Sequence, residues 1–209
     1  MTQSTLSLVQ QPTHPEGTFM QRNPELRELI ATSGITADEI AAATEKTRTK
    51  YNDLNVLLSA GHGWRDKKLL HALQCGDDIV KYAPLFGLEG VECDVFKFIL
   101  FAHDIGRLMQ GILRERGENP DDETHGALGV TILREALGLS EFNTPPVWNM
   151  IFAAIAAHSL RTTPTLEQLG GFASAHALAK LARDTDKKAA FDEAKSYTGD
   201  PSRQGRERV

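Results

Sequence analysis

Apolar residues recur along this chain at three- and four-residue spacings, and nowhere over a useful length do they alternate with period two. Leu69, Leu70, Leu73, Ile79 and Val80 mark one helix, opened by Asp66 and stopped before Pro84. A second starts at Asp94 and runs through Phe98, Ile99 and Leu100 to His103-Asp104, with Gly106 supplying a break just after it. A third carries Leu128, Ile132 and Leu133 and ends at Gly138. Thr144-Pro145-Pro146 opens a fourth, whose apolar run Met150–Ala157, with Ile151 and Ile155, ends in His158. A fifth carries Leu178, Leu181 and Arg183–Lys187. Helical spacing throughout predicts an all-α fold.

Upstream, residues 1–22 are polar and aperiodic, with Pro12, Pro15 and Gly17, and read as a flexible tail. Residues 23–61 read as two N-terminal helices packed outside the main bundle. Asn23-Pro24-Glu25 opens the first, which ends near Ser33-Gly34. Thr36-Ala-Asp-Glu39 is a capping box in sequence form and opens the second, which runs to about Ala60 and stops at Gly61. The bundle itself is expected over 62–195, followed by a polar C-terminal tail over 196–209. Arg114–Asp122 and Thr162–Gly171 are loops suited to the rim of a site.

Composition narrows the classes. The 209 residues are enough to bury a core, and 41% hydrophobic with 24% charged content is ordinary for a soluble globular protein. A net charge of −5 carries no basic stripe, so no extended nucleic-acid surface is expected. Cys75 and Cys93 suggest reduced thiols and no disulfide framework. Met1–Gln11 lacks the pattern of a signal peptide and Met150–Ala157 is too short to span a bilayer, so a cytoplasmic protein without membrane insertion is expected.

The chemistry lies in the order His71, His103-Asp104, His125, His158, Asp186. The adjacent pair cannot share one helix face as an i,i+4 pair does, but it can turn an imidazole and a carboxylate toward one metal where a helix ends. Because Phe98–Ala102 leads straight into Asp104, its carboxylate is expected to be buried, and a buried ionised carboxylate must be paired or coordinate a metal. The remaining histidines, each on or at the end of another predicted helix, add ligands suited to a first-row divalent ion. His14, His62 and His176 stand outside this order.

This order resembles the HD-domain superfamily of metal-dependent phosphohydrolases, and His103-Asp104-Ile105-Gly106 matches its HDIG variant; the resemblance covers roughly residues 60–195. It implies an HD helical bundle with His71, His103, Asp104 and Asp186 as primary metal ligands. His125 and His158 would complete a second site, with Asp104 bridging two ions. Arg183-Asp184-Thr185-Asp186-Lys187 resembles the family's Asp-Ala-Asp-Lys segment, which favours Asp186 over Asp184 as the last ligand; Lys188-Ala189 departs from its usual continuation and leaves the pocket open. Iron or manganese suits such ligands, with zinc, cobalt or nickel as further candidates.

The resemblance further implies hydrolysis of a phosphate ester or anhydride of a small molecule, a nucleotide foremost, with metal-activated hydroxide as nucleophile. Asp104 and Arg107 would be the catalytic pair. Arg107 can grip a phosphate bidentately, with Lys187 and Arg161 as further substrate cations. Two rivals stay open. One is a mixed-valent di-iron oxygenase of the same ligand order, cleaving a C–C or C–P bond; the other is a non-enzymatic binding module. A homo-oligomer is compatible with all three.

Overall fold

The structure is a computed structural model describing residues 17–57 and 64–198, the side chains of 64–70, 73 and 191–198 excepted. Among the described residues all regular structure is helical. In chain order these are α1 (Phe19–Arg22), α2 (Pro24–Ser33), α3 (Ala37–Leu57), α4 (Trp64–Phe86), α5 (Gly90–Ala102) and α6 (Ile105–Glu115). A 3-10 turn at Asp122–Thr124 leads into α7 (His125–Leu137), followed by α8 (Pro146–Ala157) and α9 (Ala173–Thr198). The chain is an all-α bundle, as its periodicity predicts.

Local chemistry sets most boundaries. The Thr36 and Glu39 pair forms its capping box: the Thr36 amide donates to Glu39 Oε2 at 2.8 Å and the Glu39 amide to Thr36 Oγ1 at 3.2 Å. Pro24 begins α2, and Gly34 ends it in the left-handed region at φ 68°. Three boundaries differ from expectation. α4 continues through Pro84, because a proline in the last turn forfeits a single backbone bond; the helix stops when Gly87 turns left-handed at φ 67° and Leu88 N–H closes on Ala83 O at 2.9 Å. α5 begins at Gly90, a turn before Asp94. Finally, the reading of residues 1–22 as one loose tail fails at its end. Thr18 and Gln21 cap α1, and its Phe19 and Met20 are buried, Phe19 meeting Phe96 edge-on at 5.3 Å.

The two N-terminal helices are not outside the core. Leu26, Ile30, Ile40, Tyr51 and Leu54 belong to the same buried cluster as Phe98, Ile99, Leu100, Ile132, Ile151, Ile155 and Leu178. α3 packs on α5, α6 and α7, and α2 on α5 and α8. The Tyr51 hydroxyl donates to Phe101 O at 3.2 Å, satisfying a carbonyl at the end of α5 just before the His103-Asp104 pair. Core positions expected at Leu70 and Leu73, the cap at Asp66, the end of α3 near Gly61, His14 and His62 all lie outside the described residues or side chains.

Gly106 does not break a helix. It sits in the first turn of α6, where an added Cβ would lie 1.9 Å from His125 O and 2.6 Å from Gly129 N. Gly126 is equally constrained: a Cβ there would lie 2.5 Å from Ala156 O. The backbones of α6 and α7, and of α7 and α8, therefore touch at these two positions. Gly106→Ala is expected to lower unfolding free energy by about 3 kcal/mol or more, since main-chain atoms cannot swing aside as a flexible side chain can. At Gly76, in α4, a Cβ would meet the Lys97 side chain no closer than 3.4 Å. Gly76→Ala should thus be neutral or stabilising by up to about 1 kcal/mol through helix propensity. Urea midpoints of the two variants check the pair; equal effects would remove the close-packing argument.

Candidate metal centre

The turn between α5 and α6 aims the first two groups. His103 keeps helical angles after Ala102, whereas Asp104 shifts to φ −96° and ψ 5°, and Ile105 begins the next helix on a new axis. Both side chains enter the bundle, with Asp104 only 6% exposed. α7 begins with His125, and His158 follows the last residue of α8. α4 and α9, packed on each other, contribute His71 and Asp186. All six residues predicted from the sequence thus converge.

Three of the rings are fixed in the same way. Nδ1 of His103, His125 and His158 bonds the backbone carbonyl three residues earlier, Leu100 O at 2.6 Å, Asp122 O at 2.5 Å and Ile155 O at 2.5 Å respectively. A carbonyl can only accept, so each Nδ1 carries the proton and each Nε2 faces the interior. In metal sites this is how a ligating histidine is held in one tautomer and orientation.

The Nε2 atoms surround two carboxylates. Asp186 Oδ1 lies 2.7 Å from His71 Nε2 and 3.2 Å from His103 Nε2. Asp104 Oδ1 lies 3.5 Å from His125 Nε2 and 3.8 Å from His158 Nε2, while its Oδ2 is 3.8 Å from His103 Nε2. His125 Nε2 and His158 Nε2 face each other at 3.0 Å. The second aspartate of the α9 segment is the one that enters; Asp184 is exposed and pairs with Lys180 at 2.6 Å.

Electrostatics split the histidines. Burial lowers His125 to about 4, helped by the positive charge of Arg107 and opposed by its bond to the Asp122 carbonyl. Burial also lowers His158, against the pull of Asp104. Both rings are accordingly neutral near pH 7, and two unprotonated Nε2 lone pairs point at one another. For His103, burial is outweighed by the Asp104 and Asp186 carboxylates, which raise it. Hydrogen bonds from His103 and His71 hold Asp186 well below the usual carboxylate range despite its burial. Lone pairs facing each other beside a buried carboxylate form a set of donors that a cation satisfies. His103, Asp104 and His158, and separately His71, Cys75 and Asp186, each bring their ligand atoms within 4.8 Å of one another.

The three candidate cations fare differently. Arg107 is at the site, its Nε donating to Asp104 Oδ1 at 2.7 Å and its Nη1 to Asp122 Oδ1 at 3.0 Å. Arg161 is exposed at the rim, 3.3 Å from Glu123 Oε1, and Lys187 is exposed on α9. Reading the sequence missed two participants. Cys75 approaches His71 and Asp186, a placement that its i,i+4 spacing from His71 could have signalled. Asp122, at the end of the expected rim loop, holds Arg107 through its side chain and His125 through its carbonyl. Gln110 Nε2 fixes that same turn by donating to Asp121 O at 2.6 Å.

Comparison with known proteins adds no relative: no family model, no curated protein and no solved structure matches the chain. Among the described residues no helix is long and apolar enough to cross a membrane.

Lowered histidines make a test in chelator-treated protein. Between the ordinary value of 6.5 and about 4, the unfolded chain binds protons that folded His125 refuses, so its contribution to stability falls as pH drops through that window. His103, raised in the folded state, acts in the opposite sense, its contribution being lost as pH rises through its folded value. Replacing His125 by Gln should therefore flatten the loss of stability on acidification relative to wild type. Urea midpoints across this range that fall as steeply in His125→Gln as in wild type would contradict the assignment.

Proposed function

We propose that this chain is a metal-dependent phosphohydrolase of the HD-domain type, hydrolysing a phosphate ester or anhydride in a small molecule of the nucleotide class. The observation that carries the reading is the meeting of the His125 and His158 Nε2 atoms at 3.0 Å beside Asp104, both rings anchored through Nδ1. In this reading His71, His103, Asp104 and Asp186 hold one divalent ion, and His125 and His158 join Asp104 around a second. Imidazole and carboxylate donors suit iron or manganese, with zinc, cobalt and nickel as alternatives. A divalent ion bound there supplies Lewis acidity and brings the pKa of its water toward roughly 7.

The chain's own groups do the rest. The carbonyl anchors keep three Nε2 atoms aimed inward without help from substrate. Apolar helices exclude bulk water from Asp104, which strengthens every charge interaction at that point. Arg107 is oriented by two carboxylates at the mouth of the site, where its guanidinium can hold a phosphate oxygen. Arg161, paired with Glu123, and Lys187 are exposed, so the phosphate role is given first to Arg107, the one of the three that contacts Asp104.

Metal analysis of protein purified under reducing conditions, followed by an anaerobic phosphatase screen over nucleotides and sugar phosphates, tests this directly. Phosphate release without dioxygen is the expected result. Activity that requires dioxygen, in proportion to product, would replace hydrolysis with oxygenation. Asp104→Ala should lose both ions and all turnover. Arg107→Ala should keep the ions but weaken kcat/KM by roughly 1.5–3 kcal/mol, the loss of one charge-assisted contact. Arg107→Lys should recover only part of it, because an ammonium lacks the guanidinium fork. Wild-type kinetics in Arg107→Ala would remove the arginine from the substrate pocket.

A further inference from the structure

Cys75 follows His71 by one turn of α4, so the two side chains share the helix face that packs on α9. It is fully buried, and its Sγ lies 3.7 Å from His71 Nε2 and 3.8 Å from Asp186 Oδ1. His103 Nε2 stands 3.2 Å from the same carboxylate oxygen. A sulfur, an imidazole nitrogen and a carboxylate oxygen therefore converge from α4 and α9, all within 4.8 Å of one another, and His103 approaches the shared carboxylate from the end of α5.

The spacing matches coordination chemistry. Zinc bonds of about 2.3 Å to sulfur and about 2.0–2.1 Å to nitrogen or oxygen, at tetrahedral angles, place sulfur roughly 3.6 Å from each of the other donors. The two sulfur edges seen here, 3.7 and 3.8 Å, are already at that length. The His71–Asp186 pair, hydrogen-bonded at 2.7 Å, needs to open by roughly 0.7 Å to reach the corresponding nitrogen–oxygen edge. In this arrangement the thiol donates a weak hydrogen bond to Asp186 Oδ1, the contact that coordination would replace.

We propose that Cys75 is a further, thiolate ligand to the ion that His71, His103, Asp104 and Asp186 would hold. The inference rests on the metal reading above and extends it. On coordination the Sγ–H proton passes to solvent and the sulfur lone pair is shared with the metal, with no change of oxidation state. The two halves of the centre then differ in softness. The sulfur-bearing half favours zinc, cobalt or cadmium over manganese, while the half that His125 and His158 complete with the shared Asp104 offers only nitrogen and oxygen.

Cobalt(II) reconstitution of the full chain tests this by absorption, independent of activity. Wild-type protein should show a near-ultraviolet sulfur-to-cobalt charge-transfer band. Cys75→Ser should lose that band while still taking up cobalt, and Cys93→Ser, on the partly exposed second cysteine, should retain it. X-ray absorption on the zinc-loaded wild type, which needs no variant, should show a sulfur neighbour at about 2.3 Å, averaging one sulfur over the two zinc ions when both sites are filled. Cobalt or zinc bound through nitrogen and oxygen alone would overturn the thiolate and leave the metal reading standing. No uptake of either ion by wild-type protein would overturn both.

Discussion

A carboxylate buried among apolar helices is the constraint around which this bundle is arranged. Asp104 sits where α5 gives way to α6, and an ionised side chain at that depth is costly unless it is compensated. Compensation within the chain arrives from Arg107 in the next turn and His103 in its own turn, while His125 from α7 and His158 from α8 turn neutral Nε2 lone pairs toward the same carboxylate and add donors for a cation. Tyr51 lies behind the same point, and its hydroxyl is held protonated by burial first and by the nearby Asp104 charge second. The N-terminal helices therefore support the site from its back.

Close backbone contact makes this convergence possible. Imidazoles reach only a short way from their own main chain, so helix ends must come near for their rings to meet. Gly106 against His125 O, and Gly126 against Ala156 O, remove the side-chain layer that would otherwise hold α6, α7 and α8 apart. The neutral His125 and His158 rings and the charge-paired His103 then occupy one small volume with different electrostatics. Such inequality among neighbouring titratable groups is common where chemistry is performed.

The helices and the ligand order were legible because each rests on a local signal. Apolar spacing gave the bundle, and Thr36, Glu39, Pro24 and Gly34 carry their own capping chemistry. The six candidate ligands were found as an ordered set, and their convergence is a property of the fold they share. What escaped was non-local. Nothing in the composition of residues 17–22 tells that Phe19 will find Phe96, nor that Tyr51 will find the Phe101 carbonyl. In the sequence Gly106 reads as a residue free to end a helix, whereas its place depends on the backbone at His125 and Gly129, in the following helix. Arg107 was read as a cation open to substrate, and the structure adds two carboxylates that already hold it.

The carbonyl anchors have a consequence for engineering. Each of the three rings takes its bearing from a peptide group three residues earlier in its own chain segment, so its aim travels with that segment. A designer who transplants such a tripeptide-spaced pair onto the end of another helix transfers the ring's tautomer and direction with it. The centre is in this respect an assembly of self-orienting pieces, and a new scaffold has only to bring the pieces within reach of a shared carboxylate.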